Sequence, residues 1–279
     1  MSKGKSLKNT KKKTYKRFIK GFWITVVAAV LLLSGFIYAI NSGAFGDLPT
    51  TTSLENPETP LATEVYSADG KIIGKFFNEN RSWVSYDEIN QNIFKALIAT
   101  EDIRFKKHAG IDWRGTLAIP YYLIIKGQKR GASTISQQLA KNLFPRQDFS
   151  TLPKIIVRKL KEWIIAVRLE RYYTKQEIIT MYWNTVDFGS NAYGIKAASK
   201  TFFNKAPDSI EVEEAAVLIG LLKGTYQYNP RYNPEESLER RNIVLSQMKK
   251  YDFISPATYD SLSGEPIVLN YNVQSHNQG

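Results

Sequence analysis

The 279-residue sequence has no cysteine and only two histidines. Without thiols there is no disulfide scaffold and no thiolate metal site, and two histidines do not make a histidine-rich one. With 43% hydrophobic and 23% charged residues, the composition excludes a wholly disordered chain. No internal repeat occurs, and the length suits one sizeable domain with attachments, or two small ones, at roughly 100–200 residues per domain. Charge is also missing locally. Residues 1–20 hold nine Lys and Arg but no acid, and residues 21–46 hold no charge at all.

These gaps reinterpret a net charge of +12, which first suggests a nucleic-acid partner. Beyond residue 20 the remaining charge is only +3, made of −4 over residues 21–100, +10 over 101–175 and −3 over 176–279. The first basic zone adjoins the apolar run Phe22–Ile40, FWITVVAAVLLLSGFIYAI. At ~1.5 Å per residue its nineteen residues span about 28 Å, close to the hydrocarbon thickness of a bilayer. Lysine and arginine on the N-terminal side only, with Trp23 and Tyr38 near the two ends, orient such a helix with its N-terminus in the cytoplasm. A cleaved signal peptide is the alternative, given the small residues Ser42-Gly43-Ala44. The apolar run exceeds the usual ~7–15 residues of a signal core, which favours a retained anchor. The lysine tail then needs no nucleic acid to explain it.

Downstream, DLPTTTSLENPETPL (47–61) is polar and proline-bearing and reads as a linker. EVYSADGKIIGKFF alternates around Asp69-Gly70, which predicts a β-hairpin. From Tyr86 the pattern turns helical, with helices expected at 87–107, 134–144, 151–171, 175–184, 191–203, 211–222 and 235–250.

Three stretches carry chemistry. In EDIRFKKHAG, Glu101, Phe105 and His108 fall at i, i+4 and i+7, one face of a helix, and a carboxylate beside an aromatic suits a general acid or base. The same letters also describe an exposed Glu-Asp pair near a helix end. In KGQKRGASTISQQLAKNLF, Thr134 to Gln137 fits a capping box. Free amides there, with Gln137, Gln138 and Lys141 one turn on, would hold a phosphate or pyrophosphate, although ordinary capped helices look alike. In RKLKEW, Arg158 and Glu162 are i, i+4 neighbours among Lys154, Lys159 and Lys161, either a surface ion pair or an anion site.

Together ATEDIRFKKHAGID, GASTISQQLAKNLF, RKLKEW and KQEIITMYWNTVDFGSNAYGIKAASKTFFNK resemble, in order and spacing, the motifs of the family 51 peptidoglycan glycosyltransferases. This is the polymerase module of class A penicillin-binding proteins and of monofunctional transglycosylases. The resemblance runs from about Glu64 to Met248. It implies a mainly α, lysozyme-like glycosyltransferase domain with a jaw subdomain at about 113–157 and the small N-terminal β-hairpin, preceded by one transmembrane helix. The domain expectation is a basic cytoplasmic tail (1–20), the anchor (21–46), the linker (47–61), the glycosyltransferase domain (62–250) and a C-terminal extension (251–279). The apolar run Ile119–Ile125 fits a jaw surface that enters lipid, or else a buried core segment.

The resemblance implies lipid II as substrate and the growing glycan strand as product, at the inner (cytoplasmic) membrane with the catalytic domain outside. No nucleic acid is involved, and a cell-wall synthesis complex is the expected setting. Glu101 corresponds to the general base and Glu162 to the family's second carboxylate. Asp102, Phe105, Ser133, Thr134, Gln137, Gln138, Lys141, Lys154, Arg158 and Lys161 correspond to substrate-binding positions. No cofactor is required, although a divalent cation such as Mg2+ would suit the pyrophosphate. Tyr182, Asn184, Gly189, Tyr193 and Gly194 match the fourth motif with Trp183 in place of the commoner Leu, and LIGLLKGTYQYNPRYNP lacks the usual Pro-Gln.

A transpeptidase module would need Lys-Thr-Gly, which is absent, and Ser-x-x-Lys occurs only at Ser2–Lys5 and Ser246–Lys249. The end, EPIVLNYNVQSHNQG, resembles the lead-in to such a module, so the expectation is a natural monofunctional enzyme or a truncated bifunctional one. A membrane-anchored lysozyme-like hydrolase and a non-catalytic anionic-lipid scaffold are the rival readings. The hydrolase does not require the GASTISQQ helix, and the scaffold leaves Glu101 without a role.

Overall fold

The computed structural model describes residues 3–50, 63–66, 72–76, 80–81, 83–127, 131, 133–143 and 151–272. The chain divides into two compact units, one made of Met1–Leu48 with Phe149–Lys161 and the other of Pro49–Asp148 with Glu162–Gly279.

The first unit contains helix α1, Lys3–Asn41. Its stretch Tyr15–Asn41 contains an 18-residue window with a mean hydropathy of 2.3 that is only 6% buried, so it is long and apolar enough to cross a membrane and is not the packed core of a soluble domain. Leu31, Leu32 and Tyr38 stand open to the surroundings. Below the helix, the Lys161 ammonium donates to the carbonyls of Phe45 and Gly46, both at 2.8 Å.

The second unit is mainly helical. Strands β1 (Thr63–Tyr66) and β2 (Ile72–Phe76) pair antiparallel, and the expected Asp69-Gly70 turn between them lies outside the described residues. A two-residue strand β3 (Asn80–Arg81) pairs parallel with β4 (Ala192–Tyr193). The helices are α2 (Gln91–Thr100), α3 (Trp113–Ile125), α4 (Ile135–Leu143), α5 (Leu152–Tyr172, which begins in the first unit), α6 (Lys175–Thr185), α7 (Ile195–Phe203), α8 (Val212–Leu221), α9 (Pro234–Lys250) and α10 (Pro256–Gly264).

Helix α8 is buried at every position from Ala215 to Leu221, which makes it the central helix, and it packs on α2 and α9. Helix α4 packs on α6. Helix α2 starts where the Asn90 side chain accepts from the Asn92 N–H at 2.9 Å, and it buries Ile93, Phe94, Ala96, Leu97 and Ala99. The segment after α10 runs back along α7, with the Asn270 and Asn272 N–H groups donating to Phe202 and Thr201 carbonyls.

Two expectations change. The helix expected over 87–107 ends at Thr100, and Phe105–Lys107 forms a separate 3-10 turn, so Glu101, Phe105 and His108 do not share one helical face. The break follows from Asp102, whose carboxylate is drawn into the interior by partners outside the helix. Helices α3 and α10 lie outside the expected set; α3 continues through Pro120 and exposes Trp113, Leu117, Tyr121, Ile124 and Ile125.

Candidate active site

Within the second unit, Glu101 caps the C-terminal end of α2, with its N–H donating to the Leu97 carbonyl at 2.8 Å. Its half-buried carboxylate accepts from Gln138 Nε2 at 2.8 Å. Gln138 Oε1 in turn accepts from the Tyr182 hydroxyl at 3.0 Å. Tyr182 is fully buried on α6; burial, then the nearby Glu101 charge, pushes its pKa well above the usual phenol value, so it stays a donor.

Asp102 turns the other way. Its carboxylate accepts from His108 Nε2 at 2.9 Å and from the Ile135 N–H, the first amide of α4, at 3.0 Å. The Gly110 carbonyl accepts from Thr134 Oγ1 at 2.7 Å and Gln137 Nε2 at 3.2 Å. Ser136 Oγ donates to Glu170 on α5, and Glu170 also receives the Lys175 ammonium at 2.6 Å. Lys175 Nζ reaches the His108 carbonyl and lies 4.5 Å from the centre of the Phe105 ring.

The helix start is partly filled from within. Of the amides expected to be free, Ile135 is used by Asp102 and Gln137 by Thr134 Oγ1, and the Gln138 amide makes the first intrahelical bond, to the Thr134 carbonyl. The capping box forms only in half, because the Gln137 side chain goes to Gly110 rather than back to Thr134. Asp102, Phe105, Thr134 and Gln137 are each at most 6% exposed.

Gln138 is half-buried beside Glu101, Ser133 is half-buried ahead of α4, and Lys141 is exposed in its last turn. Glu162 sits half-buried on α5 in the second unit. Lys154, Arg158 and Lys161 belong to the first unit, where Lys161 is engaged with Phe45 and Gly46. Sequence reasoning gave no role to Glu170 and Lys175. Their partners Ser136 and His108 lie 34 and 67 positions away, and no local spacing announces such pairs.

Further along, the Asn184 side chain behaves like a strand backbone, accepting from the Val84 N–H and donating to the Val84 carbonyl, both at 2.9 Å. The Arg104 guanidinium grips Asp112 through Nε and Nη2. Burial pushes the Asp112 carboxyl up, but the bonds from Arg104 and the Gly115 N–H outweigh it and leave it below the usual carboxylate range.

Among the described residues no three His, Cys, Asp or Glu side chains gather into a metal-holding group.

Residues 69–249 match the family model described as Transglycosylase. The chain is 36% identical over 257 residues to penicillin-binding protein 1A of Escherichia coli, covering 92% of this chain and 30% of that protein. It is also 36% identical over 255 residues to penicillin-binding protein 1F of Bacillus subtilis, covering 90% of this chain and 34% of the relative. The chain thus spans about a third of the length of the curated relatives it matches. A crystal structure of penicillin-binding protein 1A from Haemophilus influenzae aligns over 77% of this chain and 22% of that one, at 26% identity and a TM-score of 0.44.

Proposed function

The chain belongs to the transglycosylase family, and from that premise we propose that it polymerises lipid II into peptidoglycan glycan strands. In this reading Glu101 takes the proton from the 4-hydroxyl of the acceptor's GlcNAc. That oxygen attacks the anomeric carbon of the growing chain, the bond to the pyrophosphate breaks, and undecaprenyl pyrophosphate leaves with inversion. The carrying observation is that Glu101 stands at the end of α2 with one carboxylate oxygen held by Gln138, inside the matched segment. A positioned base contributes ~10²–10⁴ in rate.

Ser133, Gln138 and Lys141 receive the pyrophosphate in this proposal, Glu162 is the second carboxylate, and Asp102, Phe105, Thr134 and Gln137 hold the base and helix α4 in place. The +10 net charge over residues 101–175 suits a leaving group of that charge. The catalytic domain takes the lysozyme-like arrangement, and the exposed apolar face of α3 forms a jaw that dips into the bilayer. Helix α1 anchors the chain in the bacterial inner membrane, N-terminus cytoplasmic, with nine basic residues holding that orientation. A cell-wall synthesis complex is the setting.

The test is incubation of the purified chain with lipid II in detergent, scored for glycan polymer. The wild type forms polymer, and Glu101→Gln loses about 10²–10⁴ in rate while melting within a few degrees of it, because glutamine still accepts from Gln138. Polymerisation by Glu101→Gln at the wild-type rate overturns the assignment of the base. Cleavage of existing peptidoglycan without polymer overturns the transfer.

A further inference from the structure

Gln138 faces two partners with opposite needs. Glu101 presents carboxylate oxygens, which accept only, so the amide must turn Nε2 toward it; Oε1 is left facing α6, where it requires a donor. The Tyr182 hydroxyl, 3.0 Å away, is that donor. The reverse orientation would set Oε1 against the Glu101 oxygens. The three side chains come from α2, α4 and α6, separated by 37 and 44 positions, so no local geometry enforces the arrangement.

We infer that Tyr182 is a positioning residue for glycosyl transfer, fixing the Gln138 amide so that its Nε2 holds the Glu101 carboxylate in place to receive the acceptor's proton. The inference rests on Glu101 being the base, as proposed above. Tyr182 does not touch substrate: it has no exposed surface and packs edge-on to Trp183, with ring centroids 5.5 Å apart. Its phenol serves only while protonated, and its burial beside the Glu101 charge keeps it so. Without the hydroxyl, Oε1 loses its partner and the amide is free to rotate away from the carboxylate. An unmet buried polar group costs about 1–3 kcal/mol, equivalent to roughly 5- to 160-fold in a rate that depends on that geometry.

The experiment is a double-mutant cycle with Tyr182→Phe and Gln138→Met in the full chain, measuring kcat and KM for lipid II below the melting temperature of every variant. Tyr182→Phe is expected to lower kcat about 10-fold with KM within about twofold, and to have no further effect once Gln138→Met is present. 4-Aminophenylalanine at position 182 supplies an N–H donor and restores kcat, whereas 4-methylphenylalanine, similar in size, does not. This pair makes the same comparison if Tyr182→Phe folds poorly. Equal loss on Tyr182→Phe in both Gln138 backgrounds, or equal rates for the two analogues, overturns the inference and assigns Tyr182 to packing alone. A wild type that forms no polymer refutes the proposed function instead, and normal polymerisation by Glu101→Gln removes the premise.

Discussion

Gly110→Ala tests whether the loop after Glu101 depends on a close backbone approach. Gly110 has φ +89°, and a Cβ there would lie 2.8 Å from both the carbonyl carbon and the oxygen of Ala166 and 2.9 Å from the Val167 nitrogen. All three atoms are backbone of α5, so no side chain can rotate aside. An L-residue in left-handed backbone costs roughly 1–2 kcal/mol. Relief of the clash requires the loop to retreat, which pulls the Gly110 carbonyl from Thr134 and Gln137, each 1% exposed. Two buried donors losing their acceptor add about 1–3 kcal/mol apiece. The sum is about 3–8 kcal/mol, which at ~2–4 °C per kcal/mol lowers Tm by about 6–32 °C. Gly127→Ala is the control: Gly127 also has positive φ (+61°) but nothing within 4 Å, so it shows the backbone cost alone. Urea unfolding of both variants measures the difference, and a Gly110→Ala variant no less stable than Gly127→Ala refutes the close-approach argument.

Other outcomes follow from buried charge and capping. Arg241, 1% exposed on α9, donates to the carbonyls of Leu262 and Glu265 at 3.0 and 2.7 Å; Arg241→Met strips the end of α10 of these donors, so hydrogen exchange over 262–272 accelerates by at least about 10-fold. Unchanged exchange there would show that the segment is held by α7 alone. Asp112 has a lowered folded-state pKa, so its contribution is complete above its unfolded value of about 3.9 and disappears as pH falls through the folded value. The stability gap between wild type and Asp112→Asn is therefore constant above about pH 5 and shrinks below about pH 4 in acid urea titrations; a gap that grows on acidification contradicts this.

The sequence pattern made the helices legible wherever local rules decide. Thr174 with Glu177 forms a complete capping box at α6, which begins where expected. The apolar stripe of α4 and the all-round apolar α8 are visible in periodicity. Periodicity also misled. It runs on through Phe105, but the two partners of the Asp102 carboxylate, His108 and Ile135, take the chain out of the helix. Helices α3 and α10 were not read from the pattern, and α3 continues through Pro120. Of the site, Glu101 and Gln138 were visible as residues and their bond was not. Burial was equally hidden, and it is burial that separates Thr134 and Gln137 from Gln138.

The first turn of α4 is bound to four different segments within five residues. Thr134 and Gln137 bind Gly110, Ile135 binds Asp102, Ser136 binds Glu170 on α5, and Gln138 bridges Glu101 and Tyr182. Four of the chain's buried polar side chains, Asp102, Thr134, Ser136 and Gln137, lie in this knot. Such groups are costly to bury without partners, and the bonds they form here tie the arrangement down, although Gln137 Oε1 and His108 Nδ1 find no partner among the described residues. In the proposed reaction rigidity matters because a base that must reorient before each transfer loses part of its rate advantage, whereas one fixed during folding does not. The carboxylate of Glu101 is thus aimed by bonds to atoms far from it in sequence. A change at Glu170 or Gly110 should therefore alter transfer through the geometry of α4 without touching substrate.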